Sequence, residues 1–299
     1  MAANASGPWI LILGDVSVRV DMGHIKAFRK AGGQELYGCK MTEGKDMTIS
    51  TAAILVIGDE VLSGRTKDKN IGFIADYLTA LGIDLKEARI VSDVEADIVA
   101  AVNALRSRYT YVFSTGGIGP THDDITADAM AAAFGVGISH HPEASKMLMD
   151  FFSKMVREAN EARMRMARIP HGASLIENSV SVAPGFKLEN VFVMAGVPKV
   201  MQAMLETIAP TLTTGPKVES RTIEFHGGEG EVAKGLSDIQ QRFASVSIGS
   251  YPFESGQGFG TNLVLRSRDL LALDRAADAV EQHASELVTQ GRARSSKRL

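Results

Sequence analysis

Cysteine is nearly absent from this chain. Cys39 is the only one in 299 residues, which excludes an internal disulfide and a thiolate metal cluster. An excess of positive charge is also missing: the net charge is −3 and the pI about 6.2. That argues against a nucleic-acid groove, so no nucleic-acid partner is expected. No segment approaches the ~18 consecutive apolar residues of a membrane span, and Trp9 to Leu13 is far too short. No basic stretch followed by a long apolar run opens the chain. The expectation is a cytoplasmic protein with no membrane partner. No lysine follows the glycine turn described below, which excludes the usual P-loop, and the glycine spacing is not that of a dinucleotide-binding turn.

Strand and helix patterns alternate from Ala52 onward. Ala53 to Ile57 is apolar throughout and predicts a buried strand. Ile71, Ile74, Leu78 and Leu81 predict a helix over 69–81 that Gly82 stops. A strand over 85–91, a helix over 94–106, a strand over 109–114 and a helix over 126–134 closed by Gly135 follow. This order predicts a largely parallel sheet covered by helices on both faces. Met147, Met149, Met155, Met164 and Met166 mark 143–168 as one or two long helices whose methionines fill a core or a dimer face. A strand-loop with a Pro-Gly turn over 180–188, a strand over 191–194 and a helix over 200–212 complete this region.

The turn-rich stretch Thr213-Thr214-Gly215-Pro216 reads as a linker. Beyond it a β-α-β-β-α pattern predicts a small α+β domain ending in a basic tail, expected to be frayed and solvated. Three segments result: 1–46, an extension that is weakly periodic and glycine-rich around Gly32-Gly33; 47–214, the main domain; and 215–299, the accessory domain. Ile10 to Val16 echoes Ile54 to Val61, but nothing similar follows either, so two short apolar strands explain the echo better than a repeat.

Function concentrates between Tyr109 and Ala129. A strand feeds a turn containing Gly116, Gly117 and Gly119, and then an acidic helix start. Backbone N–H groups in such a turn, with the helix N-terminus, suit a phosphate. Asp123 and Asp124 fall where that anion would land, so a divalent cation between them follows. Adjacent residues point different ways, and Asp124 is the expected metal-facing carboxylate. The plainer reading is a tight turn in which Thr121 and Asp124 form a capping pair. Glu60, Asp93 and the 115–124 turn each follow a strand, and strand ends of a parallel sheet share one edge. Taken singly, Asp93 is an N-cap, Glu60 a turn residue, Asn70 an N-cap and His122 a solvated loop histidine or a phosphate contact. Pro184-Gly185 and Gly196-Val197-Pro198 are candidate walls of the same pocket. No nucleophile pair with histidine is suggested, so metal-assisted hydrolysis fits the acids better than covalent catalysis.

The run Thr115-Gly116-Gly117-Ile118-Gly119-Pro120-Thr121-His122-Asp123-Asp124-Ile125-Thr126 resembles the signature of the MoaB/Mog molybdopterin-binding domain family. It is most similar to the branch of competence/damage-inducible protein A (CinA) and the N-terminal domain of eukaryotic FAD synthases. Gly58-Asp59-Glu60, Gly64, Asn70, Asp93, Ala183-Pro184-Gly185-Phe186 and Gly196-Val197-Pro198 fall in the expected order, and the resemblance covers about 51–212. It implies a three-layer α/β/α fold with a mostly parallel sheet. The C-terminal part resembles the small α+β, KH-like accessory domain of CinA proteins. By position, Asp93 and Asp124 match the two acidic, metal-holding positions of the Mog site, and Gly116, Gly117 and Gly119 match its phosphate loop.

The resemblance implies a divalent metal (Mg, Mn or Co), a nucleotide or pterin ligand with molybdopterin among the candidates, and a homo-oligomer, dimer or trimer. The expected activity is a CinA-like nucleotide pyrophosphatase of the ADP-ribose or FAD class. Asp124, Asp93 and Glu60 would be catalytic, and Thr115, Pro120, Thr121, His122, Asp123, Thr126 and Asn70 would contact ligand with the glycines. The alternatives are a non-catalytic molybdopterin- or nucleotide-binding protein and a molybdopterin adenylyltransferase. The amidase domain of full-length CinA and the nucleotidyl-transferase domain of FAD synthases are not found, so neither nicotinamide mononucleotide deamidation nor FAD synthesis is expected. Val197 departs from the Pro or Gly common there and His122 from the proline of typical CinA; the latter favours a flavin-like or adenine-dinucleotide substrate.

Overall fold

The computed structural model describes residues 49–155, 159–255 and 258–299, together with the backbone of three strands among the first 48. Cys39 and the Gly32-Gly33 pair lie outside the described residues. Residues 1–48 are one compact unit and 49–299 another. In the first, β1 (Trp9–Leu13), β2 (Val16–Asp21) and β3 (His24–Arg29) form an antiparallel meander. The echo between Ile10 to Val16 and Ile54 to Val61 is therefore no structural repeat, because the second copy begins in a parallel sheet.

That sheet is built in the second unit. In chain order come β4 (Thr51–Ile57), α1 (Asp59–Leu62), α2 (Asn70–Ala80), β5 (Asp84–Val91), α3 (Glu95–Arg106), β6 (Tyr111–Thr115), α4 (Thr126–Phe134) and β7 (Ile138–His140). Next come α5 (Pro142–Lys154), α6 (Glu161–Met164), β8 (Arg168–Pro170), β9 (Ser174–Ile176), β10 (Gly185–Leu188), β11 (Val191–Met194) and α7 (Pro198–Ile208). Six strands pair in the order β5-β4-β6-β11-β10-β9. The first four run parallel, and β10 and β9 close one side antiparallel.

Period-two alternation splits β4 between two cores. Ala53, Leu55 and Ile57 face Ile98, Val102 and Leu105 of α3 and Met130 of α4. Ala52, Ile54 and Val56 face Ile74 and Leu78 of α2 and Met201, Met204 and Leu205 of α7. A strand buried on both faces must be apolar at every position, which is why TAAILVI reads as a continuous run. The fold is thus the expected three-layer α/β/α. Gly82 (φ +71) and Gly135 (φ +66) end α2 and α4 in the left-handed conformation, where glycine carries no Cβ penalty.

The region 143–168 departs from expectation. It is not one or two long helices but α5, the single-turn α6, a 3-10 turn and β8. Met164 and Met166 pack against the core, whereas Met149 and Met155 are exposed. The two-stranded pair β7-β8 and the strand β9 left no periodic signal, being three residues each, and Pro170 further disguises β8.

The chain continues as β12 (Glu219–Gly227), α8 (Glu229–Arg242), β13 (Ser247–Ser255), β14 (Gly258–Ser267), α9 (Leu270–Thr289) and β15 (Ala293–Arg298). These form an antiparallel sheet, order β13-β14-β12-β15, with its own core of Ile223, Phe225, Leu263, Leu273 and Val280. The basic tail is not frayed: it is β15, paired to β12. Arg298 forms ion pairs with Asp274, Asp278 and Glu281 of α9, so basic residues on an alternating strand meet an acidic helix face. Charge alone could not reveal that pairing.

The stretch between the two sheets is tied down. Thr213 N–H donates to the Tyr111 hydroxyl at 2.8 Å, and Ser50 Oγ to Thr213 O at 3.0 Å. Arg268 donates to Pro216 O, Gly82 O and the Asp84 carboxylate, at 2.9, 3.2 and 2.6 Å. Burial pushes the Asp84 carboxyl up, but Arg268 and Lys86 outweigh it and hold it below its ordinary value. A depressed folded pKa stabilises fully above the unfolded value, about 3.9, and the gain is lost as pH falls through the folded value. Arg268→Ala is expected to cost about 1–2 kcal/mol at pH 7, a fall of roughly 2–8 °C in melting temperature. The difference from wild type should begin to narrow below about pH 4 and close as pH falls through the lowered folded value of Asp84, as calorimetry across pH would show.

Candidate functional site

Three loops leave the carboxyl ends of parallel strands and meet. The loop after β4 hydrogen-bonds the end of β5, Gly58 N–H to Val91 O at 3.1 Å. The turn after β6 packs under it. A Cβ on Gly116 (φ +106) would lie 2.1 Å from Ile57 O, and one on Gly117 (φ +65) 2.1 Å from Thr126 Oγ1. These two glycines are therefore demanded first by close packing, against backbone for Gly116 and against the Thr126 side chain for Gly117. Thr126, fully buried, donates its hydroxyl to Gly116 O at 3.0 Å and its N–H to Gly117 O at 3.0 Å. It braces the turn from inside and, contrary to expectation, presents nothing to a ligand. Gly116 N–H is taken by Met194 O. The N–H groups of Gly117, Ile118 and Gly119 make no hydrogen bond among the described residues.

Beside this turn lies a cleft of about 70 Å³ whose lining includes Glu60, Asn70, Thr115, Gly116, Gly196 and Pro198. All six were candidates from sequence. Asn70 is not the N-cap of α2. Lys69 holds that position, and the Asp68 carboxylate before it accepts from the N–H groups of Asn70 and Ile71 at 3.1 and 2.8 Å. Asn70 is instead buried, with Nδ2 donating to Gly196 O at 2.9 Å. Its Oδ1 and the Thr115 hydroxyl are buried without a partner among the described residues. Buried polar atoms are nearly always satisfied, so two orphans in one cleft call for a guest or bound water. Thr66, Lys67 and Lys69 also line the cleft; sequence reading passed over them because the 63–69 loop has no periodicity.

Glu60 lines the cleft, and its charge acts on Asp93 together with those of Asp59 and Asp123. Asp59 N–H donates to Asp93 Oδ2 at 2.9 Å, and Asp93 N–H to Asp59 Oδ1 at 3.4 Å. Burial first, then the charges of Asp59, Glu60 and Asp123, push the Asp93 carboxyl above its ordinary value against the hydrogen bond from Asp59. Of the turn's two carboxylates it is thus Asp123 whose charge acts on Asp93. Asp124 points back into its own turn, Oδ2 accepting from the Thr121 N–H at 2.8 Å and from its hydroxyl. This is the capping-pair reading, displaced one turn ahead of α4. The Thr121 hydroxyl has one proton to share between Asp123 and Asp124. With Asp123's own N–H and His122, it holds the Asp123 carboxyl below its ordinary value. His122 is almost fully exposed, 3.9 Å from Asp123, and Pro120 is exposed. Among the described residues no three His, Cys, Asp or Glu side chains are set to cage a metal. An all-oxygen set of one or two carboxylates still suits magnesium, which takes its remaining ligands from water and substrate phosphates.

The expected wall 184–185 is divided. Pro184 lines a small separate cavity with Gly119, Arg165 and Phe186. Gly185 lines neither cavity: it is buried in β10, where a Cβ would sit 2.3 Å from Val193 O.

Residues 53–214, more than half of the chain, match the family described as a probable molybdopterin binding domain. The chain belongs to this family. Residues 217–291 match the middle domain of FAD synthase. A protein of Aeropyrum pernix is 35% identical over 248 residues, 79% of this chain and 89% of that protein. A probable FAD synthase of Caenorhabditis briggsae is 30% identical over 256 residues, 78% of this chain but only 49% of that protein. The solved structure of CinA from Thermoplasma acidophilum, a protein of unknown function, covers 55% of this chain and 98% of its own at 31% identity and TM-score 0.51. In this member of the molybdopterin-binding family, both the CinA and the FAD synthase sides of the resemblance hold. Among the described residues no helix is long and apolar enough to cross a membrane.

Gly116→Ala is expected to destabilise by about 2–4 kcal/mol in denaturant unfolding, since both the φ angle and Ile57 O oppose a Cβ. Asp93→Asn should do the reverse. A raised folded pKa favours folding below the unfolded value and loses that advantage as pH rises through the folded value, so ionised Asp93 is a cost at pH 7. Without added metal the variant should melt higher than wild type at pH 7, an advantage that vanishes as pH falls below the unfolded value of Asp93.

Proposed function

We propose that the chain is a divalent-metal-dependent pyrophosphatase of nucleotides of the ADP-ribose or FAD class. The observation that carries this reading is the meeting of the Asp93 acid group with a cleft holding two buried, unpartnered polar atoms. Phosphate chemistry is favoured by the unpaired N–H groups of the glycine turn and by Lys67 and Lys69. A dinucleotide substrate is favoured by the relative described as a probable FAD synthase and by the FAD synthase middle domain.

In this reading one or two of Asp93, Glu60 and Asp123 would hold the cation, with Asp124 shaping the turn, a shift from the pair Asp93 and Asp124. The cation, Mg, Mn or Co, supplies positive charge against the phosphate oxygens. The chain's own residues do the rest. Asn70 Oδ1 and the Thr115 hydroxyl orient the bound molecule. A carboxylate of this group that the cation leaves free takes a proton from the attacking water. The water oxygen bonds to phosphorus as the bridging P–O bond breaks, and AMP leaves together with the second phosphate ester. N–H groups of the turn stabilise charge on the non-bridging oxygens.

A second reading, a molybdopterin-binding protein without turnover, is favoured by the description of the matching family. Purified full-length chain with ADP-ribose or FAD and Mg, Mn or Co is expected to release AMP. Asp93→Asn should reduce the rate at least about 100-fold. No AMP above the Asp93→Asn control, with stoichiometric pterin or nucleotide retained, would decide for the second reading.

A further inference from the structure

The side of the glycine turn away from the Asn70 cleft carries two arginines, with the Asp124 carboxylate packed against Gly119. Arg165 begins the 3-10 turn after α6, and Arg168 begins β8. Both reach Asp128 in the first turn of α4. Arg168 takes both oxygens of that carboxylate, Nη1 at 2.9 Å and Nη2 at 2.5 Å. Arg165 is left 3.9 Å from Asp128, with one long hydrogen bond, Nη2 to Asp124 O at 3.4 Å. Its Nε is buried and has no partner among the described residues. One carboxylate thus answers two guanidinium groups.

Arg165 lines the small cavity with Gly119, Ile118, Pro184 and Phe186. The N–H groups of Gly117, Ile118 and Gly119 are those without a hydrogen bond among the described residues. Apolar walls from Ile118, Pro184 and Phe186 weaken screening there. A half-buried guanidinium with spare donors, beside unpaired backbone donors, is a complement for an anion with several oxygens. Its planar fork suits phosphate in a way a lysine does not.

We propose that Arg165 is a phosphate-anchoring residue, taking a phosphoryl group of the ligand together with the N–H groups of the glycine turn. This deepens the function proposed above and rests on its reading of the turn as a phosphate loop. Neither the run 115–126 nor the acid group contains Arg165; it arrives from 39 residues beyond the end of the run. Its role is to bind and orient, and the acids on the other side of the turn keep the chemistry.

The test is isothermal titration of the full chain with AMP, pyrophosphate and ADP-ribose, with and without magnesium, alongside Arg165→Gln and Arg165→Lys. Arg165→Gln is expected to weaken AMP and ADP-ribose roughly tenfold or more and to flatten the salt dependence, with its unliganded melting temperature near wild type. Arg165→Lys should recover part of the affinity. If Arg165→Gln does not fold, Arg165→Lys decides: several-fold weaker binding of AMP supports the anchor, and wild-type affinity overturns it. Wild-type affinity in Arg165→Gln, or a wild-type chain that binds none of the three probes, also overturns it. Binding that depends on Arg165 without any AMP release would instead sink the pyrophosphatase reading and leave the anchor standing.

Discussion

The end of β4 and the turn after β6 come so close that the Ile57 carbonyl occupies the space a side chain at Gly116 would need. Every other feature of the site depends on that approach. It lets the turn cross the sheet edge directly above the strand ends. Thr126 then ties the turn to the start of α4, leaving the N–H groups of Gly117, Ile118 and Gly119 without internal work. On one side of the turn are the Asn70 cleft and the acids; on the other is Arg165.

The glycine turn therefore has two separable duties. Close packing accounts for Gly116 and Gly117 whether or not a ligand is present. Ligand chemistry rests on what surrounds the turn: orphaned Asn70 Oδ1 and Thr115 Oγ1, a carboxyl raised by its neighbours, and a guanidinium whose nearest carboxylate belongs to Arg168. A polar site kept unsatisfied by its own protein stores binding energy for a guest, at a cost in stability. The elevated Asp93 shows the same compromise in electrostatic form.

Much of the architecture was legible in the sequence because periodicity reports burial. Continuous apolar runs marked β4, β6 and β11, and three-four spacing marked α2 and α3. The short strands β7, β8 and β9 escaped because three residues hold no period. β15 escaped because its residues are polar and its stability comes from β12 and the acidic face of α9. At the site, Glu60, Gly116, Gly196 and Pro198 were legible from their places after strands, and Asn70 and Thr115 from the family resemblance. The division of labour between Asp123 and Asp124 was not, since adjacent loop residues differ only in direction.

The sequence by itself determined the order of strands and helices, the glycine turn, and which loops leave the same edge of the sheet, because these follow from local spacing and hydrophobic pattern. Only the tertiary structure decided which carboxylate of the turn acts on Asp93, that Gly185 is a packing residue, that Asn70 turns its carbonyl oxygen into a cleft, and that Arg165 reaches the turn. The physical reason is that each of these depends on where a side chain is aimed by partners tens of residues away: Asp59 for Asp93, Val193 for Gly185, Gly196 for Asn70, Asp128 for Arg165. Local pattern carries no record of those directions.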